Sequence, residues 1–352
     1  MRKFDLLSEY NGIISNSNII NLISKIHEYK GRHYYILESK KNTLDSLLKV
    51  AKIQSTTSSN KIEGISTTDK RIREIVSQKL KPKNRNEEEI AGYRDVLSLI
   101  HENYNFIDIT SNTILQLHRD LYKYTSYSYV GKFKNSQNYI EEINEKGEKK
   151  IRFTPLSPLE TPIAIQELCN NYNELVQKET CDLLVLIPIF ILDFVSIHPF
   201  NDGNGRMSRL LTLLLLYKAG YLVGKYISLE KIIEDTKDSY YDALQKSSVN
   251  WHTNKNDYSY FVEYYLGIIL NAYKEFNIRI DILENKKITS YDRIINIFKE
   301  TITPIDKAYL INKCPDLSQT TIERILNKLL KEDKIIKISS GRYTKYKCNM
   351  NL

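Results

Sequence analysis

Residues 198–209 read His-Pro-Phe-Asn-Asp-Gly-Asn-Gly-Arg-Met-Ser-Arg, which brings a base, a carboxylate, a glycine turn and two guanidinium groups into one short stretch. The stretch lies between two apolar segments, Leu183–Val195 and Leu210–Tyr217, and both read as helices. A polar loop between buried helices is costly unless its groups find partners, so it is expected to bind something. Gly203, Asn204 and Gly205 precede a helix predicted from about Arg206 to Lys218. Glycine permits positive φ and close backbone approach, and successive N–H groups at a helix start form a cup for an anion. Asn204 adds a side-chain amide donor. Arg206 and Arg209, three residues apart, face the same side of the first turn. Two guanidinium groups suit a di- or triphosphate better than a single carboxylate. Cations at a helix N-terminus are disfavoured when unpaired, so these arginines imply a bound anion or a partner acid. Asp202 fits two roles: a helix N-cap, or a carboxylate ligand holding Mg2+ against phosphate oxygens. The neighbouring arginines favour the second. His198 is the candidate general base, because an imidazole with a pKa of about 6.5 can take a hydroxyl proton at neutral pH. Phe200 reads as an apolar anchor, and Pro199 stiffens the turn.

The segment resembles the Fic/Doc family, whose pattern is His-x-Phe-x-Asp/Glu-Gly-Asn-Gly-Arg-x-x-Arg. Every fixed position is met, by His198, Phe200, Asp202, Gly203, Asn204, Gly205, Arg206 and Arg209, and a match of this length is far more specific than a lone glycine motif. The resemblance implies a helical core and transfer of AMP from ATP to a Ser, Thr or Tyr hydroxyl of a protein, the chain itself included. It implies His198 as the base, Asp202 on Mg2+, the Gly203–Gly205 turn and Arg206 on the α- and β-phosphates, and Arg209 on the γ-phosphate, with pyrophosphate leaving. Kinase-like Doc members carry Lys where this chain has Gly205, so the glycine favours nucleotidyl transfer.

Upstream, Ser59, Glu63 and Gly64 sit in Ser-Ser-Asn-Lys-Ile-Glu-Gly. By itself this reads as a helix that ends at a glycine stop. It also fits the Ser/Thr-x-x-x-Glu-Gly/Asn pattern of the family's inhibitory helix, and Ser59 and Glu63 share a helix face. The resemblance implies that Glu63 pairs with Arg209 and takes the place of the γ-phosphate, as in the autoinhibited class with an N-terminal brake.

Asn138–Ile140 and Ile151–Thr154 are β-prone, and the charged stretch Glu141–Lys150 with Gly147 joins them, which predicts a β-hairpin. In relatives such a hairpin is a flap over the active site, and Gly131-Lys132-Phe133-Lys134-Asn135-Ser136-Gln137 resembles its entry. Ser239-Tyr240-Tyr241-Asp242-Ala243-Leu244 resembles the helix that walls the adenine pocket, with Tyr241 against the base. Ser248 stands where many relatives have Asn, with Asn250 nearby.

The 352 residues allow two or three domains. The fold class expected is mainly α: an N-terminal helical region over residues 1–85 carrying the brake, a Fic-type helical core with a small hairpin over 86–281, and a tail over 282–352. In the tail, helical periodicity over Ser290–Thr301, Pro304–Lys313 and Gln319–Glu332 is followed by β-prone Lys334–Ile338 and Tyr343–Lys347. Three helices and a β-wing resemble a winged helix-turn-helix. From Tyr291 to Leu352 there are twelve Lys/Arg and seven Asp/Glu, which contributes +5 of the chain's net +8. That balance suits a phosphate backbone, while such modules also dock proteins or pair two copies in a homodimer. No basic-then-apolar leader opens the sequence, and the apolar run near Leu183, broken by Pro188 and Asp193, falls short of the roughly 20 residues of a membrane span. Four dispersed cysteines fit reduced thiols in a cytoplasmic protein. The abundance of Asn, Ile, Lys and Tyr looks like an AT-rich bacterial genome. Two other readings stay open: a de-adenylylase in which Glu63 activates water, and a DNA-binding regulator whose core only senses nucleotide. Phosphocholine or phosphoryl transfer on the same fold remains a further donor class.

Overall fold

The apolar run that begins at Leu183 becomes a helix whose residues from Leu184 to Ile197 are all buried. In the computed structural model the described residues are 2–39, 41–78, 80–143, 149–284, 289–301, 303–339 and 344–349. The chain divides into two units, Met1–Phe276 and Asn277–Leu352.

The first unit opens with α1 (Leu6–Ile13), α2 (Ser17–Ser39), α3 (Lys41–Ile62), α4 (Asp69–Gln78), α5 (Arg85–Asn103) and α6 (Ser111–Leu121). A hairpin of β1 (Ile140–Ile143) and β2 (Lys149–Phe153) follows. Then come α7 (Thr161–Lys178), α8 (Leu183–Ile197), α9 (Asn204–Lys218), α10 (Leu229–Asp235), α11 (Lys237–Ser248) and α12 (Ser259–Glu284), within which the division falls. α8 packs on α7, α9 and α1, while α3 packs on α5 and α10. Residues 1–85 thus fold as part of the same unit as the core. The one acid of α8 is Asp193, fully buried, and burial pushes its carboxyl pKa up. Its Oδ1 accepts from Trp251 Nε1 at 2.7 Å, from Tyr258 OH at 2.7 Å and from Arg2 Nη2 at 3.3 Å. A buried carboxylate needs such donors, and in supplying one Arg2 ties the start of the chain to the centre of the core.

The hairpin reaches further into the charged stretch than the β-prone residues predict. β1 pairs antiparallel with β2 from Ile140–Phe153 through Ile143–Lys149, with an irregularity between Ile140 and Glu141. Ladder hydrogen bonds use backbone groups, so charged side chains do not end the pairing. Gly147, expected in the turn, lies outside the described residues.

The second unit contains α13 (Ser290–Glu300), β3 (Ile305–Asp306), α14 (Lys307–Lys313), α15 (Gln319–Lys331), β4 (Ile335–Lys337) and β5 (Lys345–Cys348), with sheet order β3-β5-β4. Ile294, Phe298, Leu310, Ile322, Leu326, Leu329 and Ile335 form its own buried core. The helix expected from Pro304 starts only at Lys307. Ile305 and Asp306 pair with β5 instead, and the Asp306 carboxylate caps α14 by accepting from Tyr309 N at 2.8 Å. Ser318 caps α15 on Thr321 N. Ser340–Tyr343, the centre of the expected wing, lies outside the described residues. All four cysteines are free. Among the described residues no helix is long and apolar enough to cross a membrane.

Candidate functional site

α8 ends at His198, which takes left-handed backbone angles of φ 52° and ψ 63° while its N–H closes the helix on Phe194 O. Side chains rarely adopt that region without imposed contacts. His198 Nδ1 lies 3.3 Å from Val195 O. A carbonyl can only accept, so Nδ1 carries the hydrogen and Nε2 keeps its lone pair. Burial, assisted by the Lys134 cation, pushes the His198 pKa down to about 4. The imidazole is therefore neutral at pH 7, the state a base requires.

The loop then turns into α9. Asn204 holds the turn from within, because its Oδ1 accepts from Phe200 N at 2.9 Å and its Nδ2 donates to Phe200 O at 2.8 Å. Gly203 is the N-cap of α9 with φ 81°. Asp202 is exposed, and its Oδ1 accepts from Gly203 N at 2.6 Å. His118, not singled out from the sequence, stacks on Phe200 with ring centroids 3.8 Å apart and planes 5° apart. Its Nδ1 accepts from Gly131 N at 3.0 Å, which leaves Nε2–H to donate to Asp202 O at 3.1 Å. The carboxylate end of the loop is thus fixed through its backbone, with the side chain turned outward. Among the described residues no group of three or more His, Cys, Asp or Glu could by itself hold a metal. One exposed carboxylate still fits Mg2+, which takes most of its ligands from phosphate and water.

The two arginines expected to need an anion or an acid each have an acid. Arg206 Nη2 lies 2.8 Å from Glu89 Oε2, with side-chain exposures of 1% and 2%, and it also donates to Tyr122 OH at 2.6 Å. Arg209 is bound by the end of α3. Its Nε donates to Ser59 Oγ at 2.8 Å, and its Nη2 donates to Ser59 O at 2.8 Å and to Glu63 Oε1 at 2.7 Å. Burial opposes the charge on Arg209, and the Glu63 carboxylate together with Tyr240 and Tyr93 more than offsets this, so the guanidinium stays charged. α3 stops because Gly64 takes φ 77°. Ile65 N then bonds Asn60 O and Gly64 N bonds Lys61 O, a glycine-terminated helix end that places Glu63 just past the last turn. The helix is docked by Ser58 Oγ on Glu234 at 2.7 Å, Lys61 on Glu234 at 2.6 Å and Lys237 Nζ on Ile62 O at 3.2 Å. Gly205 admits the Glu63 carboxylate, since a Cβ there would lie 2.2 Å from Glu63 Oε1. The Glu63 carboxylate therefore lies against Gly205 at the start of α9, paired with Arg209.

Tyr241 on α11 is partly buried. Burial and the nearby Glu63 carboxylate raise its phenol pKa, and Arg152 of β2 lies over its ring at 5.8 Å. Phe153 stacks on His252 at 5.4 Å, and Thr154 O pairs with His252 Nε2 at 2.8 Å, which pins the hairpin beside α11. Ser248 Oγ donates to Gln245 O at 3.0 Å. Glu89, Tyr122 and His118 carry no pattern of their own in the sequence. They lie on or beside α5 and α6, far along the chain from the loop they support.

The two acids differ in one way that predicts stability. Glu89 is sealed with Arg206, whereas the Glu63 side chain is 34% exposed. Glu89→Ala should cost about 3–5 kcal/mol by stranding a buried guanidinium, and Glu63→Ala should cost less, because Ser59 still gives Arg209 two oxygens and loss of a part-exposed carboxylate lets water reach the guanidinium. Urea unfolding followed by the single tryptophan, Trp251, measures both. Equal losses would contradict this distinction.

Residues 108–216 match the Fic/DOC family model. The chain is similar to a probable protein adenylyltransferase of Aquifex aeolicus, 31% identical over 198 residues, or 55% of this chain and 58% of that protein. It is also similar to the protein adenylyltransferase Fic of Nematostella vectensis, 25% identical over 182 residues, or 49% of this chain and 39% of that protein. The chain thus spans less than two thirds of these curated relatives. Its fold is similar to that of a Fic family protein from Desulfovibrio desulfuricans, with TM-score 0.62 and 20% identity over 96% of this chain and 97% of that one. A Fic domain-containing signaling protein from Bacteroides thetaiotaomicron gives TM-score 0.60 and 24% identity over 74% of this chain and 95% of that one.

Proposed function

We propose that this chain, with its Fic/DOC domain over residues 108–216, is a protein adenylyltransferase held in check by its own Glu63. The observation that carries the reading is the anion already seated over Gly205 and paired with Arg209 at 2.7 Å. A carboxylate there stands in for a phosphate oxygen, and the neutral His198 opens the same loop. In the reaction His198 Nε2 takes the proton of a Ser, Thr or Tyr hydroxyl on the target protein, which includes the chain itself. The hydroxyl oxygen bonds to the α-phosphorus of ATP, the bond from that phosphorus to the β-phosphate bridging oxygen breaks, and pyrophosphate leaves. N–H groups of Asn204 and Gly205 stabilise the phosphate charge, while the Gly203 N–H is held by Asp202 Oδ1. Arg206 faces the inner phosphates with its orientation fixed by Glu89, and Arg209 takes the γ-phosphate once Glu63 withdraws. Asp202 would hold Mg2+, which would neutralise charge between the phosphates. Tyr241 packs against the adenine.

Incubation with Mg2+ and α-labelled ATP tests this directly. Glu63→Gly should label protein at least about tenfold faster than wild type, the worth of one charged hydrogen bond, and His198→Ala in that background should not label. Labelling that is equal in wild type and Glu63→Gly, or that survives His198→Ala, would overturn the reading. The pH dependence has a defined sign. A base works when unprotonated, and the His198 pKa is about 4. The rate of Glu63→Gly should therefore hold as pH falls through 6.5 and decline only toward about 4. A midpoint near 6.5 would exclude His198 in this environment as the base. The same pair, Glu63 and His198, would serve water attack on a modified protein, and release of AMP by wild type but not by Glu63→Gly would favour that direction.

A second reading concerns the smaller unit, taken as a winged helix. α15 exposes Gln319, Thr320, Arg324, Asn327, Lys328 and Lys331, residue types that contact base edges and phosphates. This favours duplex DNA over a protein partner or a second copy of the chain. Fluorescence anisotropy with labelled duplex should show salt-dependent binding that weakens in Arg324→Ala/Lys331→Ala. Binding unchanged by that pair would contradict the assignment.

A further inference from the structure

One short segment holds four consecutive backbone carbonyls of the loop that presents His198. Ile197 O accepts from Lys134 Nζ at 3.0 Å and Pro199 O from Lys134 N at 2.9 Å. Phe200 O accepts from Asn138 Nδ2 at 3.0 Å, and His198 O from the same amide at 3.4 Å. Lys134 Nζ also donates to Asn138 Oδ1 at 2.9 Å, which joins the two side chains and orients the amide. Lys134 is only 3% exposed, and it makes no ion pair among the described residues. A buried ammonium without a carboxylate is costly. This one sits at the last carbonyls of α8, where the helix dipole favours a cation. His198 follows immediately in its left-handed conformation, which persists only where surrounding contacts impose it.

We propose that Lys134 and Asn138 are positioning residues for His198, forming a clip that holds its strained backbone so that Nε2 faces the acceptor hydroxyl. This rests on the reading of His198 as the base. The charged groups acting on the imidazole are Lys134 from the segment before the hairpin, Glu63 from the turn after α3 and Asp202 from its own loop. Lys134 disfavours protonation and the two acids favour it. The clip thus sets geometry and also helps keep the ring neutral.

In the Glu63→Gly background, Lys134→Met should lower kcat for AMP transfer roughly 10- to 100-fold, the size of a misplaced catalytic group, with KM and Kd for ATP unchanged. Lys134→Arg should restore most of the loss, and Asn138→Ala should reproduce it. A readout independent of activity is NMR titration of His198 in 13C-histidine-labelled protein. In Lys134→Met its titration should move to higher pH, because the neighbouring cation is gone, and the acid limb of the rate should move with it. An unchanged kcat, a joint fall of kcat, ATP affinity and Tm, or an unmoved His198 titration would each overturn the clip. If the Glu63→Gly parent transfers no AMP, the functional reading fails, and the His198 titration alone decides whether the clip acts on the imidazole.

Discussion

A guanidinium at 2% exposure must have an anion, and Arg209 is such a group. Much of the larger unit is arranged around that requirement. α3 supplies two oxygens of Ser59 and one of Glu63. Gly64 ends the helix at the residue that leaves Glu63 hanging past its last turn. Gly205 leaves the space into which the carboxylate fits. None of these features stabilises the protein much alone. Together they place a negative charge at the start of α9, where backbone N–H groups and an arginine both favour an anion.

The neighbouring arginine shows what a permanent arrangement looks like. Arg206 and Glu89 are both sealed from solvent, and Tyr122 adds a further oxygen. Releasing Glu89 would leave two buried charges, so this pair fixes geometry. Glu63 is a third exposed and follows a glycine-terminated helix end, so water can take over its solvation when it leaves. Two ion pairs of similar length, 2.8 and 2.7 Å, thus differ in consequence because burial differs. In the proposed reaction one orients the inner phosphates and the other is displaced by the outer one. The loop between them is rigid for a similar reason: its backbone groups are held by Asn204, His118, Lys134 and Asn138. In the proposed reaction the His198 Nε2 lone pair and the exposed Asp202 side chain are the groups this loop offers to the reactants.

What the sequence made legible was local. The 198–209 stretch concentrates its groups within twelve residues, so its turn, its helix start and its demand for acids could be argued from types and spacing. The identity of the acids could not be read that way in full. Glu63 is marked by the resemblance and by its spacing from Ser59. Glu89 looks like one of three acids in the first turns of α5, and nothing local marks it as the partner of Arg206. His118, Lys134 and Asn138 meet the loop through packing across 60 or more positions of chain. Element ends also shifted where backbone pairing overrode side-chain pattern: the hairpin strands run into charged residues, and Ile305–Asp306 joins a sheet before α14 begins.

The central claim is that Glu63 and the terminal phosphate of ATP compete for Arg209. Calorimetric titration of wild type and Glu63→Gly with ATP and with AMP tests it most directly, since only ATP carries the competing group. ATP binding should tighten in Glu63→Gly by about tenfold or more, the worth of one charged hydrogen bond, while AMP binding stays within about twofold. Equal tightening for both nucleotides, or none for either, would contradict the competition.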